Sequence, residues 1–279
     1  MDVPWTSVFQ WILYPPPPSA WVNALSVISF LSMGNGGWME IKGKHMQYSK
    51  FTTNHNNSNK YVEKQKEMMK AKVPSKVGMV VVYGPALVAG ISTFALFPFQ
   101  DFRFTALRSA VTLHFFKRIL EVLLVHKYSG WMDVDAMIPI SLSYFTYAIT
   151  IIYSQHLIQM GASQPAVDLK YIGISIYFLG ITANFYHHYL LSTLRTTGKE
   201  KRYEMPRGGL FSFVVCPHYL FEIVGFIGIC CISQSVFAVS HAMGTVLYLM
   251  GRSYATRKWY EYTFENFPKD VKALFPYVF

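Results

Sequence analysis

The segment PRGGLFSFVVCPHYLFEIVGFIG, Pro206 to Gly228, carries His218 and Glu222 four residues apart. Four residues is about one helical turn, so an imidazole and a carboxylate project from one face of a stretch otherwise built of Phe, Val, Leu and Ile. Inside lipid such a pair costs free energy unless something polar lies beside it, which marks it as a functional site. Upstream, Asn184, His188 and Arg195 stand at offsets of four and eleven and share a helical face. Tyr83, His114 and Arg118 precede them, and Tyr203, Arg252 and Tyr260 come later. These side chains suit hydrogen bonding to a polar ligand and proton transfer. Arg195, Arg202 and Arg207 add guanidinium forks that match phosphate oxygens.

The elements that must hold these groups are apolar. The chain of 279 residues is 52% hydrophobic and 14% charged, which fits a polytopic membrane protein better than a soluble enzyme. Seven stretches, near 14–36, 77–98, 104–126, 135–159, 168–192, 209–232 and 235–257, are long enough or nearly so to cross about 30 Å of hydrocarbon as helices. The Pro15 to Pro18 run must stay at the edge of the first. The expected fold is therefore all-α, a seven-helix transmembrane bundle forming one membrane domain over 1–279.

The formal charge of +10 does not point to nucleic acid, because Lys and Arg sit in a few loops between apolar runs. They act as topology signals. Three basic segments, the 37–76 loop with Lys60 to Lys76, the loop with Arg195 to Arg207, and the tail with Arg257 to Lys272, all fall in the cytosol if the N-terminus is lumenal. That topology puts His218 and Glu222 roughly midway into the sixth helix. It also gathers polar residues from five helices in the cytosolic half of the bundle, where a cytosol-facing pocket would contain them. Cys216, Cys230 and Cys231 form neither a disulfide framework nor a zinc spacing, and no metal is expected. The N-terminus lacks the features of a cleaved secretory signal, so the first apolar stretch is expected to be retained.

Each group also has a plainer explanation. Glu222 could pair with Arg118 or Arg252 inside the bundle, and His218 could be a satisfied interior histidine. Tyr83 could be an interfacial aromatic, and the arginines topology charges alone.

The Pro206 to Gly228 segment resembles the signature of the membrane steroid 5α-reductase family, and the tail YEYTFENFPKDVKALFPYVF resembles that family's ending. The likeness spans residues 168–279, with a divergent region over 1–167 in which Val73 to Pro85 can be laid on the family's second-helix motif. It implies a multi-pass endoplasmic reticulum protein, C-terminus cytosolic, that uses NADPH to reduce a carbon–carbon double bond conjugated to a carbonyl in a lipid-like substrate. Asn184, Arg195, Tyr203, Glu222, Arg252 and Tyr260 match family positions that contact the cofactor. Glu222 stands where the family's carboxylate holds the nicotinamide amide.

There are departures from the family pattern. His218 replaces an asparagine, His188 an aspartate and Thr256 a histidine. Tyr83 and Phe115 occupy the places of the glutamate and tyrosine that polarise the steroid ketone. Tyr83 is then the expected O–H donor to the substrate carbonyl, with His114 as a second candidate. GGLF matches the steroid and enoyl-thioester branches and CPHY the polyprenol branch. A di-iron hydroxylase would need more closely spaced histidines than His187-His188. A membrane methyltransferase shares the Pro-His-Tyr neighbourhood and would bind S-adenosylmethionine. A catalytically silent lipid-binding relative is the third alternative.

Overall fold

The computed structural model describes residues 5–46, 71–98, 100–128, 130–194 and 204–279. Eight α-helices lie among them: α1 Trp5–Ile12, α2 Ala20–Ile41, α3 Ser75–Leu96, α4 Phe102–Leu120, α5 Val134–Gln159, α6 Lys170–Thr193, α7 Pro217–Ser233 and α8 Val236–Thr263. A π-helical turn, Glu121–Val125, continues α4, and a short 3-10 turn, Gly209–Ser212, precedes α7. The seven longer helices fall on the seven apolar stretches. Two of them, α3 and α5, are long and apolar enough by length and composition to cross a membrane.

Helix starts follow from local chemistry. Asp101 Oδ1 accepts the Phe104 N–H at 2.8 Å at the head of α4, and Ser235 Oγ accepts that of Ala238 at 3.2 Å at the head of α8; each satisfies a backbone donor that the first turn leaves open. Two expectations need correction here. The first long helix does not begin near residue 14: the proline run joins α1 to α2, which starts at Ala20 behind the Ser19 cap. The sixth begins at Pro217, not near 209, because proline lacks the amide hydrogen a helix interior needs and suits the first helical position. His218 and Glu222 consequently sit in the first two turns of α7 rather than midway along it.

Close helix pairs are α6 with α7, α2 with α8, and α3 with α5. Glycines set the first two. A Cβ on Gly180 would fall on the backbone nitrogen of Gly225, and one on Gly251 on the carbonyl oxygen of Gly37. The backbones meet there with no side chain between them, the close approach that small residues allow in membrane bundles.

The two ends of the bundle are tied differently. At one, Gln234 adopts a left-handed conformation at φ 51° after α7. Its side-chain oxygen accepts from Arg103 at 2.8 Å and from the Leu169 N–H at 2.9 Å, joining α4, α7 and the start of α6. At the other, Lys72–Pro74 (β1) pairs antiparallel with Trp131–Asp133 (β2), and the C-terminal tail runs beside the approach to α7. There Val215 N–H donates to Lys272 O at 2.8 Å and Lys272 N–H to Phe213 O at 2.9 Å. The basic residues from Lys60 to Lys70 lie outside the described residues.

Candidate active site

The Pro206-Arg207-Gly208-Gly209 turn is seated on α6. Gly208 and Gly209 have φ of 83° and 51°, a region costly for side-chain-bearing residues. The turn presents the Leu210 N–H to His187 Nε2 at 3.1 Å. A Cβ at Gly209 would lie 2.7 Å from that nitrogen, so both the conformation and the contact call for glycine.

Behind the turn, α3, α4, α6 and α7 bring polar side chains together. Asn184 on α6 is buried; its Nδ2 donates to the His218 carbonyl oxygen at 2.7 Å, and its Oδ1 accepts from Lys117 Nζ. Lys117 also meets Glu121 at 2.8 Å. Glu121, 0% exposed, accepts from Arg118 at 3.3 Å and pairs with His188 Nδ1 at 3.0 Å. Arg118 Nη2 donates to the Tyr83 hydroxyl, and its guanidinium lies 4.8 Å from the Tyr83 ring centroid. The His188 ring faces those of His126 at 4.9 Å and His218 at 5.4 Å. Most of these buried polar atoms satisfy one another, Arg118 Nε being without a hydrogen-bond partner among the described residues.

Glu222 is half-buried in the second turn of α7 and forms no ion pair among the described residues. The nearby cations meet other partners: Lys117 meets Glu121, Arg118 meets Glu121 and Tyr83, and Arg252 meets Glu40 at 2.8 Å. Neither arginine is in ion-pair contact with Glu222 among the described residues.

Other expected site residues lie elsewhere. Arg252 is held by Glu40, the buried end of α2, which sequence reasoning missed. Tyr260 and Arg207 line a cavity of about 460 Å³ beneath the C-terminal tail, with Pro206, Phe211 and Asp270 also at its wall. His114 sits in an aromatic layer, 5.1 Å from the Phe115 ring centre and 5.2 Å from that of Phe226. Arg195, Arg202 and Tyr203 lie outside the described residues. Lys117 and Glu121 were also missed; their i, i+4 spacing at the end of an apolar stretch was the available signal.

Glu121, His126 and His188 bring candidate ligand atoms within 4.8 Å of one another, a donor set known from zinc sites. The carboxylate is already counter-ion to Lys117 and Arg118, so a divalent cation would arrive beside two positive charges. The geometry favours the ion-pair cluster over a metal. The three cysteines are free thiols.

Residues 135–279 match the family described as 3-oxo-5-alpha-steroid 4-dehydrogenase. The chain is 30% identical over 172 residues to a very-long-chain enoyl-CoA reductase of Dictyostelium discoideum, covering 60% of this chain and 55% of that protein. It is 34% identical over 113 residues to 3-oxo-5-alpha-steroid 4-dehydrogenase 2 of Homo sapiens, covering 40% and 44%. To the human protein numbered 1 it is 34% identical over 108 residues, covering 39% and 41%. It thus spans about half the length of the curated relatives it matches. The match takes in α5 to α8, the PRGG turn, Asn184, Glu222 and the tail, and over that half the chain belongs to the 3-oxo-5-alpha-steroid 4-dehydrogenase family.

Proposed function

We propose that this protein reduces a carbon–carbon double bond conjugated to a carbonyl in a lipid substrate, with NADPH as the reductant. We place it as a single seven-helix domain in the endoplasmic reticulum membrane, its tail and the Arg207 loop facing the cytosol. The observation that carries this reading is Glu222, a half-buried carboxylate without an ion-pair partner among the described residues, one turn beyond His218 on α7. A carboxylate left open in a partly dry site is built to accept hydrogen bonds. The carboxamide of a nicotinamide offers two such donors.

The residues present fit that cofactor. Glu222 and Asn184 would hold the nicotinamide end, beside His188 and His218. Arg207 and Tyr260, at the wall of the roughly 460 Å³ cavity, together with Arg195 and Tyr203, are the candidates for its phosphate and adenosine portions, while Arg252 is held by Glu40. When bound, the cofactor supplies the hydride. The chain's own part is to orient the substrate and stabilise charge on its carbonyl oxygen. The Tyr83 oxygen accepts a hydrogen bond from Arg118, so its proton remains available to point at that oxygen. The Arg118 charge alongside favours negative charge developing there.

The substrate is a 3-oxo-Δ4-steroid or another enone. An enoyl thioester is the second reading, favoured by the longer similarity to the Dictyostelium discoideum reductase, 172 residues against 113 and 108. Phe115, which has no proton to donate, stands where the steroid enzymes carry a tyrosine.

The test is NADPH consumption by the purified protein in lipid nanodiscs, offered a 3-oxo-Δ4-steroid, a polyprenol-derived enone and a long-chain enoyl thioester. Oxidation with one of them, abolished together with NADPH binding in Glu222→Gln, is the expected result. Binding of S-adenosylmethionine in place of NADPH would mean a methyltransferase. NADPH binding without oxidation on any substrate would mean a silent relative.

A further inference from the structure

We propose that Glu121 is a positioning residue for the reaction, setting Tyr83 through Arg118 and Asn184 through Lys117. This rests on the reading of Tyr83 as proton donor and Asn184 as a nicotinamide contact, and goes beyond it by assigning one buried carboxylate to both.

Glu121 is fully buried and receives three donors from two helices: Lys117 at 2.8 Å, Arg118 at 3.3 Å and His188 at 3.0 Å. Lys117 and Arg118 then diverge. One donates to Asn184, whose amide grips the His218 carbonyl at the head of α7; the other donates to the Tyr83 hydroxyl on α3. Both side chains are long and flexible and lose rotamer freedom when held in place. An anion reached by both fixes them at once. Without Glu121, Lys117 and Arg118 lose the anion they share and repel each other at low dielectric.

The backbone is arranged to keep this carboxylate dry. The π turn begins at Glu121, and the His126 N–H closes it by donating to Glu121 O at 2.7 Å. One wide turn brings the His126 ring to 4.9 Å from that of His188, edge to face. Single π turns recur at functional sites.

The experiment uses the full chain in nanodiscs with the enone found to be turned over. Glu121→Gln is expected to lower kcat about a hundredfold, as misplaced catalytic groups do, and to weaken NADPH binding, read by fluorescence titration, about tenfold. Glu121→Asp, which keeps the charge, should recover part of both. The decisive readout is non-additivity: in a Tyr83→Phe background, Glu121→Gln should cost less than about threefold in kcat. A purely structural role predicts a lower melting temperature with normal kcat per folded molecule, or additive losses, and either overturns the proposal. If Glu121→Gln yields no folded protein, Glu121→Asp decides, and unchanged kcat and NADPH affinity in it overturn the assignment. Failure of wild-type protein to bind NADPH would instead remove the reading on which the proposal stands.

Discussion

Glu40 and Arg252 stand 212 residues apart in the chain and meet at 2.8 Å, their side chains 1% and 2% exposed. The same carboxylate is contacted by His45 Nδ1 at 2.7 Å and by the Met46 N–H at 3.1 Å, so the end of α2 is clamped to α8. A buried pair of this kind adds little over an apolar pair, but breaking it strands a charge. Glu40→Gln is expected to destabilise the fold by about 3–5 kcal/mol, measured by denaturant unfolding in detergent. An unchanged midpoint with weaker NADPH binding would instead give Arg252 to the cofactor, as the family resemblance suggests.

The glycine contacts make a second prediction with an internal control. Gly180→Ala would drive its methyl onto the Gly225 backbone, and Gly251→Ala onto Gly37; helix backbone must shift in both. Each should cost about 1–3 kcal/mol. At Gly84 and Gly225 an added Cβ meets nothing within 4 Å, so alanine there should be neutral or stabilising by up to about 1 kcal/mol, its advantage in a helix interior. Equal effects at all four sites would show that α6–α7 and α2–α8 do not meet along these faces.

Asp168, in the loop before α6, gives a pH dependence. Burial raises its pKa, but hydrogen bonds from the Lys170 side chain and backbone and the charge of Arg103, 2.5 Å away, outweigh it and hold the carboxyl below its ordinary value. A carboxyl depressed in the folded state contributes stability above its unfolded pKa, near 4, and loses it as pH falls through the lower folded value. The melting temperature should therefore drop below about pH 4, and Asp168→Asn should flatten that drop while lowering the plateau above it. The side chain is 37% exposed, so solvent screening keeps the effect small. Equal slopes for both proteins would separate Asp168 from the acid response.

Hydropathy placed the seven long helices to within several residues, because burial in an apolar bundle and helix length leave the same mark in sequence. It misjudged the start of α7, where Pro217 and not the apolar run decides, and so misjudged the depth of His218 and Glu222. Asn184 and His188 were legible from spacing because one helix carries both. Partners on other helices were not. Nothing in the order of residues aligns Glu40 with Arg252 or Glu121 with His188; those pairings depend on which helices meet and at what height. The β1–β2 ladder of three residues each is too short for a period-two pattern to register.

The proposed chemistry depends most directly on the Tyr83 hydroxyl. Tyr83→Phe removes one oxygen from a side chain 3% exposed and leaves the ring, with its Tyr144 neighbour at 5.4 Å, in place. If the hydroxyl donates to the substrate carbonyl, turnover should fall about 10²- to 10³-fold, within the range for a positioned acid, while NADPH affinity stays within about twofold because no cofactor contact is lost. Arg118 would lose an acceptor but keep Glu121, so the melting temperature should move little. Stopped-flow reduction under single turnover, set beside NADPH titration, separates the outcomes. Parallel losses in turnover and binding would make Tyr83 a support of the cofactor pocket, and full activity would leave the proton donor to another group.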